Sequence, residues 1–174
     1  MPLEGVSTEL KISLPCLLVG AILFFVSFAE PHWMEETVQG GSVYLGLWET
    51  CGSSPQLPGG AVCVSYGGDQ AGWLTGVEVL ECFSLSATVT GVALTFSLLF
   101  KRQRLFCLLG AVGGICAGIL GLIGAIVFAG KNDNSDYLGW AFYLNVVGDL
   151  LIGAGGGAVM VYYFRMRSGY VPVS

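Results

Sequence analysis

The sequence predicts an all-α membrane protein, four transmembrane helices with a small disulfide-tied sheet outside, and three observations predict it. The chain of 174 residues is 54% hydrophobic and 11% charged, with a mean hydropathy of +0.74, far more apolar than a water-soluble domain. Four stretches are apolar enough and long enough for a helix to cross roughly 30 Å of hydrocarbon, which takes about 20 residues at a 1.5 Å rise. Between the first two lies a long polar segment rich in turn formers that contains two cysteines.

The first stretch, 12–29, carries no charge. The second, 74–100, is charge-free after Glu81; the third is 105–130; the fourth, 137–164, is interrupted only by Asp149. Wholly helical, the third would be about 39 Å long, so its outer end is expected to project from the bilayer or the helix to tilt. Together the spans leave no room for a second domain, and residues 1–174 read as one.

Lys11 precedes the first span, Lys101-Arg102-Gln103-Arg104 joins the second to the third, and Arg165 and Arg167 follow the fourth. The positive-inside rule then puts 1–11, 101–104 and 165–174 in the cytoplasm and the loops 30–73 and 131–136 outside. The longer loop has no Lys or Arg. Ser27-Phe28-Ala29 also fits the small-x-small rule of a signal-peptide cleavage site, but Glu4 and Glu9 against one Lys11, and an apolar run longer than usual, favour a retained span.

The few basic residues form no stripe that would neutralise a run of phosphates, so nucleic acid is not an expected partner. A single histidine, His32, leaves no His cluster for a transition metal, and neither a phosphate-binding Gly-Lys-Ser/Thr loop nor a Gly-x-Ser-x-Gly elbow is present. No enzyme signature, cofactor or metal is expected.

Cys51 and Cys63 enclose Gly52, Ser53, Ser54, Pro55, Pro58, Gly59 and Gly60. An outward-facing pair meets an oxidising compartment, which favours a disulfide over two free thiols. Val43-Tyr44-Leu45 before the pair and Ala61-Val62-Cys63-Val64 around its second member favour strands, so the bridge would tie a sheet with little core of its own. Cys16, Cys82, Cys107 and Cys116 fall in the spans and read as small apolar residues, with Cys107, beside the basic loop, the one placed for palmitoylation.

Trp33, then Gly46-Leu47-Trp48, then Cys51 and Cys63, resemble the W-GLW-C-C signature of the claudin superfamily, which includes peripheral myelin, epithelial membrane and lens fibre membrane proteins and calcium-channel gamma subunits. Trp73-Leu74 is similar to the myelin and epithelial membrane branch, and Tyr137-Leu138-Gly139-Trp140-Ala141 to claudins. The resemblance implies a left-handed four-helix bundle topped by a small extracellular antiparallel β-sheet, with the two motif cysteines bridged. Trp33 and a Gly-Leu-Trp turn pointing at the bilayer would anchor that sheet, since indoles favour the membrane interface. The chain departs from strand-forming claudins in having Glu78 and Glu81 where an Arg is common, Val64-Ser65-Tyr66 after the second cysteine, a short second loop, and a Val-Pro-Val-Ser end.

Small residues recur four apart in the third span as Gly110, Gly114 and Gly118, and as Ala117, Gly121 and Ala125; Gly153 and Gly157 repeat the pattern in the fourth. Such ridges let helices approach closely inside one bundle. Asp149 lies deep in its span with Asn145 one turn before it, and an ionisable group at that depth costs several kcal/mol unless protonated, paired or wet. It is expected to face the bundle interior, hydrogen-bonded by Asn145, with Glu81 within reach, although Glu78 and Glu81 read more simply as lying near the outer interface. Glu35, Glu36, Glu49 and Asp69 give the outer face an acidic character that would attract cations.

These features point to a non-enzymatic plasma-membrane protein that contacts the lipid bilayer, self-associates laterally, and contributes to cell contact, junction organisation or a paracellular barrier. An auxiliary channel subunit or myelin-type membrane organiser, partnered by other membrane proteins, is a second expectation. A small cation pore or transporter using Asp149, Asn145 and Glu81 is a third.

Overall fold

A computed structural model of the chain describes residues 7–54, 61–67, 71–101, 103–131 and 137–168. In order it forms α1 (Thr8–Ala29), β1 (Met34–Val38), β2 (Gly41–Leu45), β3 (Glu49–Ser53), β4 (Ala61–Ser65), α2 (Gly72–Ser97), α3 (Arg104–Lys131) and α4 (Trp140–Arg167). All four helices are long and apolar enough to cross a membrane, and the strands form one small antiparallel sheet at the end of the bundle where α1 finishes and α2 and α4 begin.

The bundle runs α1 against α4, α4 against α3 and α3 against α2, with a thinner contact closing α1 onto α2. Its interior holds polar side chains beside the apolar core. Along α2 the buried positions include Glu81, Ser84, Thr88, Gly91 and Thr95, while Val79, Phe83, Val89 and Phe96 are exposed. This inverts the soluble pattern because lipid solvates apolar side chains as well as a protein core does, so packing and interhelical hydrogen bonds decide what turns inward. The Ser84 hydroxyl donates to the Ala117 carbonyl of α3 at 2.9 Å.

Close approach depends on glycine. A Cβ on Gly91 would stand 3.0 Å from the Gly114 nitrogen, one on Gly114 3.0 Å from the Gly156 Cα, and one on Gly118 2.7 Å from the Asp149 carbonyl oxygen. The ridge read from Gly110, Gly114, Gly118 and Gly121 is therefore internal to the bundle, and all four are buried. In α4 the expected pairing needs correction: Gly157 has open space around it, Gly153 meets α3 more loosely, and the tight approach belongs to Gly156 and, toward α1, to Gly148. The period of 3.6 carries Gly157 past the interface that Gly153 and Gly156 occupy.

The strands follow the order β1-β2-β3-β4, joined first by a two-residue turn in which Gly40 adopts φ +92°, a conformation open to glycine without a Cβ penalty. Cys51 lies inside β3, directly opposite Cys63 of β4, and the bridge forms with the Cα atoms 4.0 Å apart. It ties β3 to β4, whereas the strand expected before the pair, at 43–45, is β2. The segment Glu49-Thr-Cys-Gly-Ser53 has too little β-branched or aromatic character to announce a strand, and pairing on both sides supplies what propensity does not.

Helix ends differ from the hydropathy limits by about a turn. α1 begins at Thr8 rather than 12, because Leu10 still packs into the bundle. α4 begins at Trp140 rather than 137, because Leu138 forms a β-bridge with Met34 and the Gly139 N–H donates to the Trp33 carbonyl at 2.9 Å, holding that stretch extended. α2 stops at Ser97, whereas α4 runs past 164 to Arg167, and Arg165 near its end pairs with Glu9 of α1.

Val substitutions at two neighbouring glycines test the packing. Gly156→Val places a branched side chain against the backbone of Gly114 and Ile115 and is expected to destabilise the bundle by about 1–3 kcal/mol, the usual range for overpacking, or to prevent folding. Gly157→Val points into open space and should leave thermal unfolding in detergent unchanged within error.

Candidate functional site

The sheet meets the bundle through two indoles that cap one helix. The last carbonyls of a helix run short of backbone donors, and at the end of α1 those of Val26 and Ser27 share the single N–H of Glu30, at 3.2 and 3.3 Å. Trp33 Nε1 donates to the Ser27 carbonyl at 2.8 Å and Trp48 Nε1 to the Phe28 carbonyl at 2.8 Å. Trp33 is fully buried, its ring edge-on to Phe128 of α3 at 5.1 Å and Phe142 of α4 at 6.1 Å. Trp48, 37% exposed, lies outward over Phe28 with centroids 5.0 Å apart. Trp48 is thus the outward-facing indole of the pair, while Trp33, expected to face the bilayer with it, is enclosed by the bundle.

Gly46 and Leu47 shape the turn between the indoles. A Cβ on Gly46 would fall 2.6 Å from the Cα of Pro31, so only glycine lets the turn lie on the end of α1. Leu47 is fully buried in the same cluster as Trp33, Leu74, Val77 and Phe128. Tyr66 closes the turn: its hydroxyl donates to the Gly46 carbonyl at 3.2 Å and accepts from Thr50 Oγ1 at 3.0 Å. Burial pushes its phenol above the ordinary value of 10.0, so the donating form persists at neutral pH, and any stability it supplies would be lost only as pH rises through that raised value.

Deeper in the bundle three helices bring one polar group together. Glu81 of α2 and Asn145 and Asp149 of α4 are all fully buried. Asn145 Nδ2 donates to Asp149 Oδ2 at 3.0 Å and to Glu81 Oε1 at 3.3 Å, and Asn145 Oδ1 accepts from the Ser27 hydroxyl of α1 at 3.5 Å. The inward orientation expected of Asp149 and its bond from Asn145 are both present. Glu81 needs correction: it points into the bundle, because α2 turns its polar side inward, and it is Glu78 that is only half-buried one turn toward the sheet. On α3 the facing positions are Gly121 and Gly124, where a Cβ would collide with the Asp149 carboxyl and stand 2.6 Å from Glu81 Oε1.

Glu35 and Glu36 are exposed on β1, but as successive strand residues they point to opposite faces, and Glu49 at the start of β3 is half-buried. Asp69 lies outside the described residues. The acidic character is therefore divided over both sides of the sheet rather than gathered on one. Glu49, Cys51 and Cys63 have their ligand atoms within 4.8 Å of one another, but both sulfurs are committed to the bridge and cannot act as thiolate ligands. Cys107 is fully buried with its Sγ 3.6 Å from the Val159 carbonyl, a placement that does not present it for acylation.

Two participants escape a reading by residue type. Ser27, a common residue in an apolar run, links Trp33 through its carbonyl to Asn145 through its hydroxyl; its signal is the seven-residue spacing from Ser13 and Gly20, which are buried on the same face of α1. His32 lies between Tyr44 and Trp140, at centroid distances of 4.6 and 5.5 Å, and nothing in the local pattern singles it out.

The arrangement of a Trp33 plug, a Gly-Leu-Trp turn and a β3–β4 disulfide on four spans is accompanied by a match to the family model of PMP-22/EMP/MP20/Claudin proteins over residues 7–158. The chain belongs to the PMP-22/EMP/MP20/Claudin family. It is accordingly a multi-pass, four-span membrane protein of that family, and its resemblance in signature residues extends through the fold as far as the middle of α4. Among curated proteins no individual relative matches it.

Within this family member the bridge has a calculable role. A loop of this size stabilises by roughly 3 kcal/mol in the chain-entropy model, a large share for a sheet with so little core. Cys51→Ser is expected to leave most of the protein inside the cell, measured by surface biotinylation; wild-type surface levels would show the bridge to be dispensable.

Proposed function

We propose that the protein is a non-enzymatic organiser of the plasma membrane that associates laterally with copies of itself and contributes to cell contact, junction organisation or a paracellular barrier. Both termini and the α2–α3 connection face the cytoplasm in this reading, and the sheet faces outward. Placement of Lys11, Lys101, Arg104, Arg165 and Arg167 at the bundle end opposite the sheet supports that orientation, with Lys131 the described basic residue at the sheet end.

The observation that carries the reading is the edge strand β4. Among the described residues it pairs only with β3, all five of its residues are exposed, and Val62 and Val64 are 48% and 65% exposed. An unpaired, apolar, uncharged edge is a template for another strand, and proteins that do not use such an edge normally blunt it with charge or proline. Held by the bilayer in a common orientation, neighbouring copies would present these edges at one height.

The test is expression of the tagged protein in fibroblasts that lack junctional strands and in a leaky epithelial monolayer, with contact-site enrichment and sodium-to-chloride dilution potentials measured together. Enrichment at contacts in wild type, lost in a Val62→Lys/Val64→Lys variant that still reaches the surface, is the expected result. A shift in dilution potential would add a barrier role. Uniform surface distribution with no shift would contradict the reading and favour an auxiliary subunit of a larger membrane protein.

A further inference from the structure

The buried polar group in the bundle has more acceptor capacity than its partners use. Glu81 and Asp149 are both 0% exposed, and Glu81 Oε2 and Asp149 Oδ1 have no hydrogen-bond partner. Their other oxygens are held by the same nitrogen, Asn145 Nδ2, so the two carboxyl groups converge on one place. Every described Lys and Arg is exposed at a helix end, and from α1 and α3 the facing groups are the Ser27 hydroxyl and the glycines 121 and 124. No protein cation therefore neutralises the pair among the described residues.

Asn145 alone satisfies the site poorly. With Asn145 donating to Oε1 and Oδ2, the oxygens Oε2 and Oδ1 keep their electron pairs unused, and one amide supplies no donor for them. A bound cation would use them, since it needs electron pairs and those two oxygens supply them. The glycines make room for the two acids themselves. Side chains at Gly121 and Gly124 would fill the space that the two carboxyl groups occupy, so α3 is recessed where α2 and α4 bring their acids in.

We propose that Glu81 and Asp149, with the Asn145 amide oxygen and the Ser27 hydroxyl beside them, form a dehydrated binding site for one hard, oxygen-seeking cation inside the bundle. Carboxylate, amide and hydroxyl oxygens are the donor set of calcium or sodium rather than of a thiolate- or imidazole-seeking metal. Two carboxylates balance a divalent ion; a monovalent ion would leave one of them protonated. The site lies directly beneath the sheet junction, because Ser27 hydrogen-bonds Asn145 through its hydroxyl and Trp33 through its carbonyl. Occupancy would thus stiffen the same end of the bundle that carries the sheet. It is independent of lateral association, which involves β4.

The experiment uses the full chain in lipid nanodiscs. Binding of radioactive calcium and of radioactive sodium is measured on wild type, Asp149→Asn, Glu81→Gln and a Glu35→Gln/Glu36→Gln control. The expected result is about one cation per chain, at least tenfold weaker binding in either buried variant, and unchanged binding in the control. Calcium binding alone identifies a divalent site, and sodium binding identifies a monovalent one. Absence of binding to wild type for both ions, or binding that disappears in the Glu35/Glu36 control, overturns the proposal in favour of a protonated pair. Should the buried variants fail to fold, Ser27→Ala replaces them: weakened binding with unchanged circular dichroism supports the site, and unchanged binding overturns it.

Discussion

Trp33 holds together parts of the molecule that would otherwise have no reason to meet. The four-stranded sheet is too small and too exposed to bury a core, and β4 contributes no buried residue at all. Beyond the Cys51–Cys63 bridge, its stability must come from the surface it sits on. Trp33, one residue before β1, inserts between α3 and α4 and uses its one side-chain polar atom on the last turn of α1. Aromatic contacts of this kind are worth about 0.5–1.5 kcal/mol each beyond area burial, and the hydrogen bond satisfies a carbonyl at a helix end. Leu47, the Gly46 turn and the Leu138–Met34 bridge then have fixed positions around it.

The same junction explains why the bundle can be polar inside. Lipid gives no hydrophobic force between spans, so the helices hold together by close packing and hydrogen bonds. Glycine at 91, 114, 118 and 156 brings backbones near enough for the first, and Ser84, Ser27 and Asn145 supply the second. Placing the acidic groups here carries an energetic cost that hydrogen bonds from one asparagine only partly offset, and removing that asparagine would cost about 1–3 kcal/mol for each buried acceptor left unmade. The polar group lies one hydrogen-bonded residue, Ser27, below Trp33, so the outer sheet and the bundle interior are physically continuous.

Much of this was legible in the sequence because the strongest signals were long. Apolar runs fix the number of spans, the basic residues fix which helix ends share a side, and Asp149 declares itself as one charge in an apolar run. The disulfide was readable from two cysteines in a segment without other thiols. Short elements were not. β1 is Met-Glu-Glu-Thr-Val and β3 is Glu-Thr-Cys-Gly-Ser, sequences with weak strand propensity that pairing alone makes into strands. Glu81 looked interfacial because a position near a span's start says nothing of which way the helix turns. Only reading α2 for the spacing of Glu81, Ser84, Thr88 and Thr95, which fall on one helical face, would have turned it inward. Ser27 carried only its seven-residue spacing from Ser13 and Gly20, which marks a face but not a partner, and that partner, Asn145, lies 118 residues away.

The claim that Trp33 holds the sheet on the bundle is tested most directly by hydrogen–deuterium exchange of wild type and Trp33→Ala in nanodiscs. Amides of β1–β4 are expected to exchange about tenfold faster in the variant, the loss of about one hydrogen bond's worth of anchoring, while those of α2, α3 and α4 keep their protection. Equal protection of the sheet in the two proteins would contradict it.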